Sequence, residues 1–164
     1  MPIIKTRSGQ PIQTEGQGIT ITQTPTLSTA AYTAGDAVGG LLTFANAALD
    51  TGGGGIINSV VLIDDSGQDD DMELWLFDTA ITAIADAAAW ALTEAQLHTL
   101  ITIVKLTSAG WAASGTPSAN VTAIFGQRYY CTGKNLYGQL VCRGTPTFTA
   151  VDDITVRLGL TQVV

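Results

Sequence analysis

Short runs of β-branched and aromatic residues, separated by turn residues at close intervals, limit what this chain can fold into. In the first run, Ile19 and Ile21 alternate with Thr20 and Thr22, which is the period-two pattern of a half-buried strand. Turn residues then separate eight further runs: AVGGLLTF, IINSVVLI, ELWLF, LITIVKL, NVTAIF, RYYC, LYGQLVC and DITVRLGLTQVV. Many short strands with almost no helix predict an all-β fold, an antiparallel β-sandwich or jelly roll.

One segment has helical rather than strand spacing. Thr93 and Gln96 are spaced as in a capping box, and Leu97, Leu100 and Ile101 follow at the intervals of one helix face. The pattern predicts one short helix between the runs ELWLF and ITIVKL. The alternative is that LHTLITIV is strand throughout and that the Ala-rich residues 80–91 coil against the sheet.

The composition fits one domain that is large enough to form its own core. Of the 164 residues, 46% are apolar and 13% are charged, and 14 acidic against 7 basic side chains leave a net charge of −7. Because this charge opposes contact with a phosphate backbone, we predict no nucleic-acid partner. Neither a run of about 18 apolar residues nor the apolar core of a signal peptide occurs, so we expect no membrane association and no secretion by that route.

The sequence predicts an extended N-terminal arm at residues 1–17 and a β-sandwich body at residues 18–164. Charged residues, Gly and Pro interrupt any periodicity in the arm, and only Ile3, Ile4 and Ile12 could anchor it. The arm alone therefore lacks the apolar surface needed to fold.

The sequence offers few residues for catalysis. The single histidine, His98, would lie four residues after Glu94 on the helix and form an exposed pair with it. A G-x-S-x-G motif is absent, and Gly126 and Gly133 are too far apart for a phosphate-binding P-loop. We predict no catalytic residue, no cofactor and no enzymatic activity.

An acidic cluster is the densest charge feature of the chain, and it lies between two apolar runs. Its members are Asp64, Asp65, Asp69, Asp70, Asp71 and Glu73. Such carboxylates could bind calcium or a basic partner, but the residue spacing of an EF-hand loop is absent. We predict a solvated hairpin tip without a metal ion.

Cys131 and Cys142 flank a predicted hairpin turn at residues 132–135. A tight turn would place Cys131 opposite about residue 136, several residues away from Cys142 and too far for a disulfide. We predict two free thiols, buried or half-buried.

Two tryptophans are candidates for surface contacts. Trp90 and Trp111 fall among Ala, Ser and Gly in predicted connections, where an exposed indole could stack on a sugar or anchor a neighbouring subunit. The alternative is that each covers a hydrophobic corner of the body. The large apolar share of the chain also predicts a closed oligomer that covers the surface left by an isolated sandwich.

Three segments resemble those of small virion structural proteins of tailed bacteriophages. They are A-Y-x-A-G-D-x-V-G-G at residues 31–40, L-x-L-F at residues 74–77, and L-Y-x-x-L-V-x-R-G-T-P-T-x-T followed by D-x-T-V-x-L at residues 136–158. The similarity spans about residues 26–163 and leaves the arm outside it. It implies a jelly-roll or related β-sandwich protein of the mature particle, in the first place a head decoration or cement protein.

A decoration protein implies the major capsid protein as partner, a homotrimer as assembly, and the surface of the phage head as location in the virion. The contact between arm and capsid would then be made by Ile3, Ile4, Lys5, Arg7 and Ile12. The alternatives are a tail, neck or head-fibre component, or a carbohydrate- or receptor-binding β-sandwich module. The motifs carry no catalytic signature, so the resemblance assigns no role to any single residue.

Overall fold

A computed structural model describes residues 16–163. The predicted capsid contacts of the arm lie outside the described residues: Ile3, Ile4, Lys5, Arg7 and Ile12. Within residues 16–163, no helix has both the length and the apolar character that crossing a bilayer requires.

The described part of the chain is built from nine strands and one α-helix, with a single 3-10 turn at Ser108–Gly110. In chain order the elements are β1 (Gln17–Gln23), β2 (Ala37–Phe44), β3 (Gly54–Asp64), β4 (Met72–Phe77), α1 (Glu94–Leu97), β5 (Leu100–Leu106), β6 (Trp111–Ala113), β7 (Ser118–Tyr130), β8 (Leu136–Cys142) and β9 (Ile154–Val163). The runs AVGGLLTF, LITIVKL and LYGQLVC coincide with β2, β5 and β8, which confirms the strand prediction for these segments.

The strands form two antiparallel sheets. One has five strands in the order β1-β9-β3-β7-β6, and the other has four in the order β2-β8-β4-β5. Apart from the short β6, the first strand pairs with the last, β2 with β8, β3 with β7 and β4 with β5. A long antiparallel hairpin rolled up in this way is a jelly roll, so the predicted all-β sandwich is confirmed.

The core lies between the sheets and is filled by alternate residues of their strands. Val60, Leu62 and Leu158 of the five-stranded sheet meet Leu74 and Leu140 of the other sheet, and all five are fully buried. Burying such a side chain stabilises the fold by about 1.5–3 kcal/mol before the entropy of ordering it is subtracted.

The predicted hairpin at residues 132–135 is wrong. β7 and β8 belong to different sheets, so the turn between them carries the chain across the sandwich. Gly and Asn favour a tight turn whichever strand follows, and the sequence signal is therefore the same for both connections. Cys131 and Cys142 are buried free thiols, as predicted, and burial raises the pKa of Cys131 to about 11.

Two predictions based on glycine also need correction. Gly126 lies between the runs NVTAIF and RYYC, which were predicted as two strands but form the single strand β7. The positive φ of Gly126, 72°, is accommodated close to an irregularity in the pairing of β7 with β3. The glycine run at residues 52–55 has no helix signal behind it, so the sequence alone favours a flexible loop there. Its last two members instead belong to β3 and are buried.

The predicted helix is confirmed by its capping box, but it ends at Leu97, so the prediction that Leu100 and Ile101 share a helix face with Leu97 is wrong: both belong to β5. The Thr93 hydroxyl accepts from the Gln96 backbone N–H at 3.3 Å, and the Gln96 side chain accepts from the Thr93 N–H at 2.9 Å. Since β5 begins at Leu100, the alternative of an uninterrupted strand through LHTLITIV is wrong. His98 and Glu94 lie 3.7 Å apart and are both exposed, as predicted.

Candidate interaction surface

The outer face of the four-stranded sheet is covered by the connection between β4 and β5. Phe77 and Val141 alternate with core residues along their strands and thus point outward, yet both are 0% exposed. The side chain of Gln139 donates to the carbonyls of Gly39 at 3.1 Å and Ile84 at 2.6 Å. The connection, residues 78–93, is therefore fixed to the sheet as a third layer.

A polar cluster holds this connection against β2. Tyr32 donates its hydroxyl to Asp86 at 2.7 Å, and the Gly39 N–H donates to the same carboxylate oxygen at 2.5 Å. The backbone N–H of Trp90 donates to the carbonyl of Gly35 at 2.8 Å. Burial and then the bond to Asp86 raise the pKa of Tyr32, so its phenol stays a neutral donor at physiological pH.

Trp90 lies half-buried in this layer, against Trp75 of β4. The two ring centroids are 5.4 Å apart and the planes are inclined by 58°. Trp75 donates its indole N–H to Glu73 at 3.0 Å, and Arg143 forms an ion pair with the same carboxylate at 2.6 Å. Burial acts to raise the pKa of Glu73, but the bonds from Arg143 and Trp75 outweigh it and lower that pKa.

Trp111, the second candidate anchor, is the first residue of β6. It is half-buried, packs against the core, and donates its indole N–H to the carbonyl of Asp70 at 3.1 Å. Both candidate anchors therefore have contacts within the body. Their role toward a partner stays a prediction.

Within residues 16–163, no connection covers the outer face of the five-stranded sheet. Its exposed large side chains are Val121 at 67%, Tyr130 at 68% and Val163 at 46%. Val61 and Arg157 extend the row, because both lie in register with Val121 across the sheet. We call the outward residues of β1, β9, β3 and β7 the open face.

The charge of the open face contrasts with that of the whole chain. Asp64 is the single acidic residue in the five strands, and it is buried at 1% exposure. Arg128 and Arg157 are exposed on the same strands. A chain of net charge −7 thus presents one face that is apolar, Thr-rich and weakly basic.

A groove runs beside Tyr130 at one end of the open face. It has a volume of about 410 Å³ and is lined by the glycines of residues 52–55 together with Ile56, Arg128, Tyr130 and Val163. Glycine puts no side chain on the floor of the groove, which leaves this space free between the larger side chains of its walls. Apolar walls and one guanidinium suit contact with a protein surface.

Sequence reasoning missed the open face. Because Tyr130 falls in the strand-like run RYYC, the sequence predicts it in the core or in a cross-strand pair, and no sequence signal marks Val121 as exposed. The irregular pairing near Gly126 shifts the inward and outward alternation of side chains along β7 by one residue. Val121 and Tyr130 therefore share the outer face, although one has an odd and the other an even residue number. A conserved period of two across the glycine would have placed them on opposite faces.

The acidic cluster is not a solvated hairpin tip, which corrects the prediction. It connects β3 to β4, which belong to different sheets, and Asp64 organises it. The Asp64 carboxylate accepts from the backbone N–H groups of Ser66 at 2.9 Å, Gly67 at 3.1 Å and Gln68 at 2.8 Å, and from the Ser66 hydroxyl at 2.6 Å. Among residues 16–163, no three His, Cys, Asp or Glu side chains are grouped so as to hold a metal ion.

Asp70, in the same loop, is expected to destabilise the protein at neutral pH. Burial and then the neighbouring charge of Asp71 raise its pKa. The folded state therefore holds this proton more tightly than the unfolded state, and stability falls as pH rises through the two pKa values. We expect Asp70→Asn to raise the free energy of unfolding at pH 7, by up to about 1 kcal/mol in urea titrations.

Asp153→Asn provides the control of opposite sign. Burial opposes its ionisation, but bonds from the Ala150 and Thr149 N–H groups and the Thr149 hydroxyl outweigh burial and lower its pKa. The ionised Asp153 stabilises the fold at pH values above its pKa in the unfolded state, and this stabilisation is lost as pH falls through its lower pKa in the folded state. Equal effects of the two changes at pH 7 would contradict both assignments.

No protein-family model, no curated protein and no solved structure matches this chain.

Proposed function

We propose that this protein is a decoration, or cement, protein of a tailed-phage head, which binds the outer surface of the major capsid shell through its open face. The observation that carries the proposal is the contrast between the two outer faces of the sandwich. One is sealed by residues 78–93, and the other exposes Val121, Tyr130 and Val163 on strands without an exposed acid. The half-buried Ile56 and Val61 of β3 lie between the positions of Tyr130 and Val121 and continue this apolar surface. Contiguous exposed apolar surface is typical of interaction sites.

The segments that resemble phage virion proteins support the body of this proposal. They pack together at one corner, where the Tyr32 N–H donates to the Pro146 carbonyl at 3.0 Å and the Gly35 N–H to the Cys142 carbonyl at 2.8 Å. The Tyr32 and Phe148 rings meet edge to face at 5.6 Å. Jelly rolls also occur in lectin and cupin domains, so the fold alone does not select the function.

A broad, weakly basic sheet face is suited to stabilising a shell by many modest contacts. Contacts that span several capsid subunits act together, and the linked contacts raise the overall affinity without one strong site. Gly16 directly precedes β1, the edge strand of the five-stranded sheet, so the arm starts at the rim of the open face. From there Ile3, Ile4 and Ile12 could reach a neighbouring subunit, and a homotrimer would present three arms.

The test is sedimentation of the purified protein with heads that lack it, taken from the phage that encodes it. We expect saturable binding. Val121→Asp should weaken binding at least about tenfold, because a desolvated carboxylate on the contact face costs more than the 1.4 kcal/mol that tenfold requires. Val151→Asp is the matched control, since Val151 is also exposed, at 53%, but lies outside the sheet.

Equal binding by the two variants would contradict the open face as the contact, and bare heads would contradict the decoration role itself. Deleting residues 1–15 should abolish binding and leave the far-UV circular dichroism spectrum unchanged, because β1 begins at Gln17. Undiminished occupancy by the truncated chain would remove the arm from the proposal.

A further inference from the structure

The edges of the two sheets are protected to different degrees. β2 is covered where the Ala37 N–H donates to the carbonyl of Ala88 at 2.8 Å and the Ala87 N–H to the carbonyl of Ala37 at 2.9 Å. β6 has three residues, and β5 carries Lys105. Short edges, covering loops and lysines are the devices that prevent a sheet from pairing with another chain.

β1 lacks these devices. It has seven residues, QGITITQ, without a charge or a proline, and it pairs along its whole length with β9. Its other side has no strand partner among the residues that the structure describes. A regular, uncharged edge of this length is a template for one more strand.

We propose that the added strand is β1 of a second copy of this chain, in antiparallel register about Thr20. The sequence is nearly symmetric around that residue. Antiparallel pairing would place Thr20 opposite Thr20 of the second copy, Ile19 opposite Ile21, and Gln17 opposite Gln23. Each of these pairs joins two residues of the same type on one face of the sheet, and cross-strand pairs of this kind stabilise a sheet by about 0.2–1 kcal/mol each.

A groove beside β1 provides the space for this contact. It has a volume of about 340 Å³, and its apolar walls include Ile19, Ile21, Ala45, Ala48 and Leu49. Residues directly opposite each other in a sheet point to the same face. The isoleucines of the second copy would therefore lie along this groove and cover the edge of the core beside β1.

The second copy suits this edge better than the arm of the same chain does. The edge is neutral and self-complementary, as an isologous two-fold contact requires, whereas the arm contains Lys5 and Arg7. The contact joins two five-stranded sheets into one continuous sheet. It does not depend on the proposed role in the virion, and in a homotrimer it would link one trimer to another.

Disulfide trapping tests the register. Opposite residues of an antiparallel pair have Cα atoms about 4.5–5.5 Å apart, within the range for a disulfide. Thr20→Cys should therefore form a dimer on mild oxidation of the full-length protein, seen on a non-reducing gel. Thr22→Cys is the matched control. It is exposed on the same face, but the two copies of residue 22 would lie about 13 Å apart.

We expect at least about tenfold more dimer from Thr20→Cys than from Thr22→Cys at equal protein concentration. The natural cysteines are buried and should not contribute. No dimer from Thr20→Cys, or equal dimer from both variants, would overturn the proposal. As a second measurement, Thr20→Lys should halve the solution mass measured by light scattering, and an unchanged mass would also overturn the proposal.

Discussion

Replacing Asp64 by alanine is expected to lower the free energy of unfolding by about 3 kcal/mol or more. The carboxylate is 1% exposed and accepts hydrogen bonds from three successive backbone N–H groups and the Ser66 hydroxyl. Alanine leaves these donors without their acceptor and frees the connection between the two sheets. Hydrogen bonds to a charged group contribute about 1.5–3 kcal/mol.

Urea unfolding followed by tryptophan fluorescence measures this loss. Asp65→Ala is the control, because Asp65 is the adjacent acid in the same loop and is exposed. We expect the control to change stability by less than about 0.5 kcal/mol. If Asp64→Ala and Asp65→Ala shifted the urea midpoint equally, Asp64 would not be the organising residue of the loop.

Gly55→Ala is expected to cost about 3 kcal/mol and to reduce the yield of folded protein. A Cβ at this position would lie 2.2 Å from the carbonyl oxygen of Thr161 and 2.8 Å from the hydroxyl of Tyr129. The first neighbour is backbone of β9 and cannot turn away. The second donates a buried hydrogen bond to the carbonyl of Ala47 at 2.6 Å, which the new methyl group would displace.

Thermal unfolding of Gly55→Ala and Gly133→Ala, compared side by side, measures this effect. Gly133 lies in a turn where an added Cβ meets no atom within 4 Å, so alanine should be tolerated there. We expect the melting temperature to fall clearly for the first variant and to stay within about 2 °C of the original for the second. Equal melting temperatures would mean that β3 and β9 are not packed as tightly as described.

Strand positions could be predicted because β-branched runs bounded by turn residues leave few alternatives, and β2, β5 and β8 match their runs residue for residue. The capping box of Thr93 and Gln96 is equally local, and the helix follows it. In both cases neighbouring residues alone determine the structure.

The sheet that each strand joins could not be predicted, because it depends on contacts between residues distant in sequence. The turns at residues 65–71 and 132–135 have the composition of hairpins, yet both cross between sheets. The burial of Asp64 follows from one of these crossings. A local signal was present, since Asp followed by Ser-Gly favours an Asp side chain bonded to the backbone of its own turn.

The open face also depends on tertiary structure. Val121 and Tyr130 are exposed because no connection in the described part of the chain crosses their sheet, whereas residues 78–93 cover the other one. Composition shows only that apolar residues exceed what a small core needs. Which of them stay outside is decided by where one long connection packs.

The measurement that most directly tests the proposed role in the virion is the copy number of this chain in purified phage particles, determined by quantitative mass spectrometry relative to the major capsid protein. Decoration of the shell predicts a copy number comparable with that of the capsid protein. Removing this chain from the particle should then lower the heat stability of the heads. A few copies per particle would indicate a neck or tail component, and absence from the particle would contradict the proposed function.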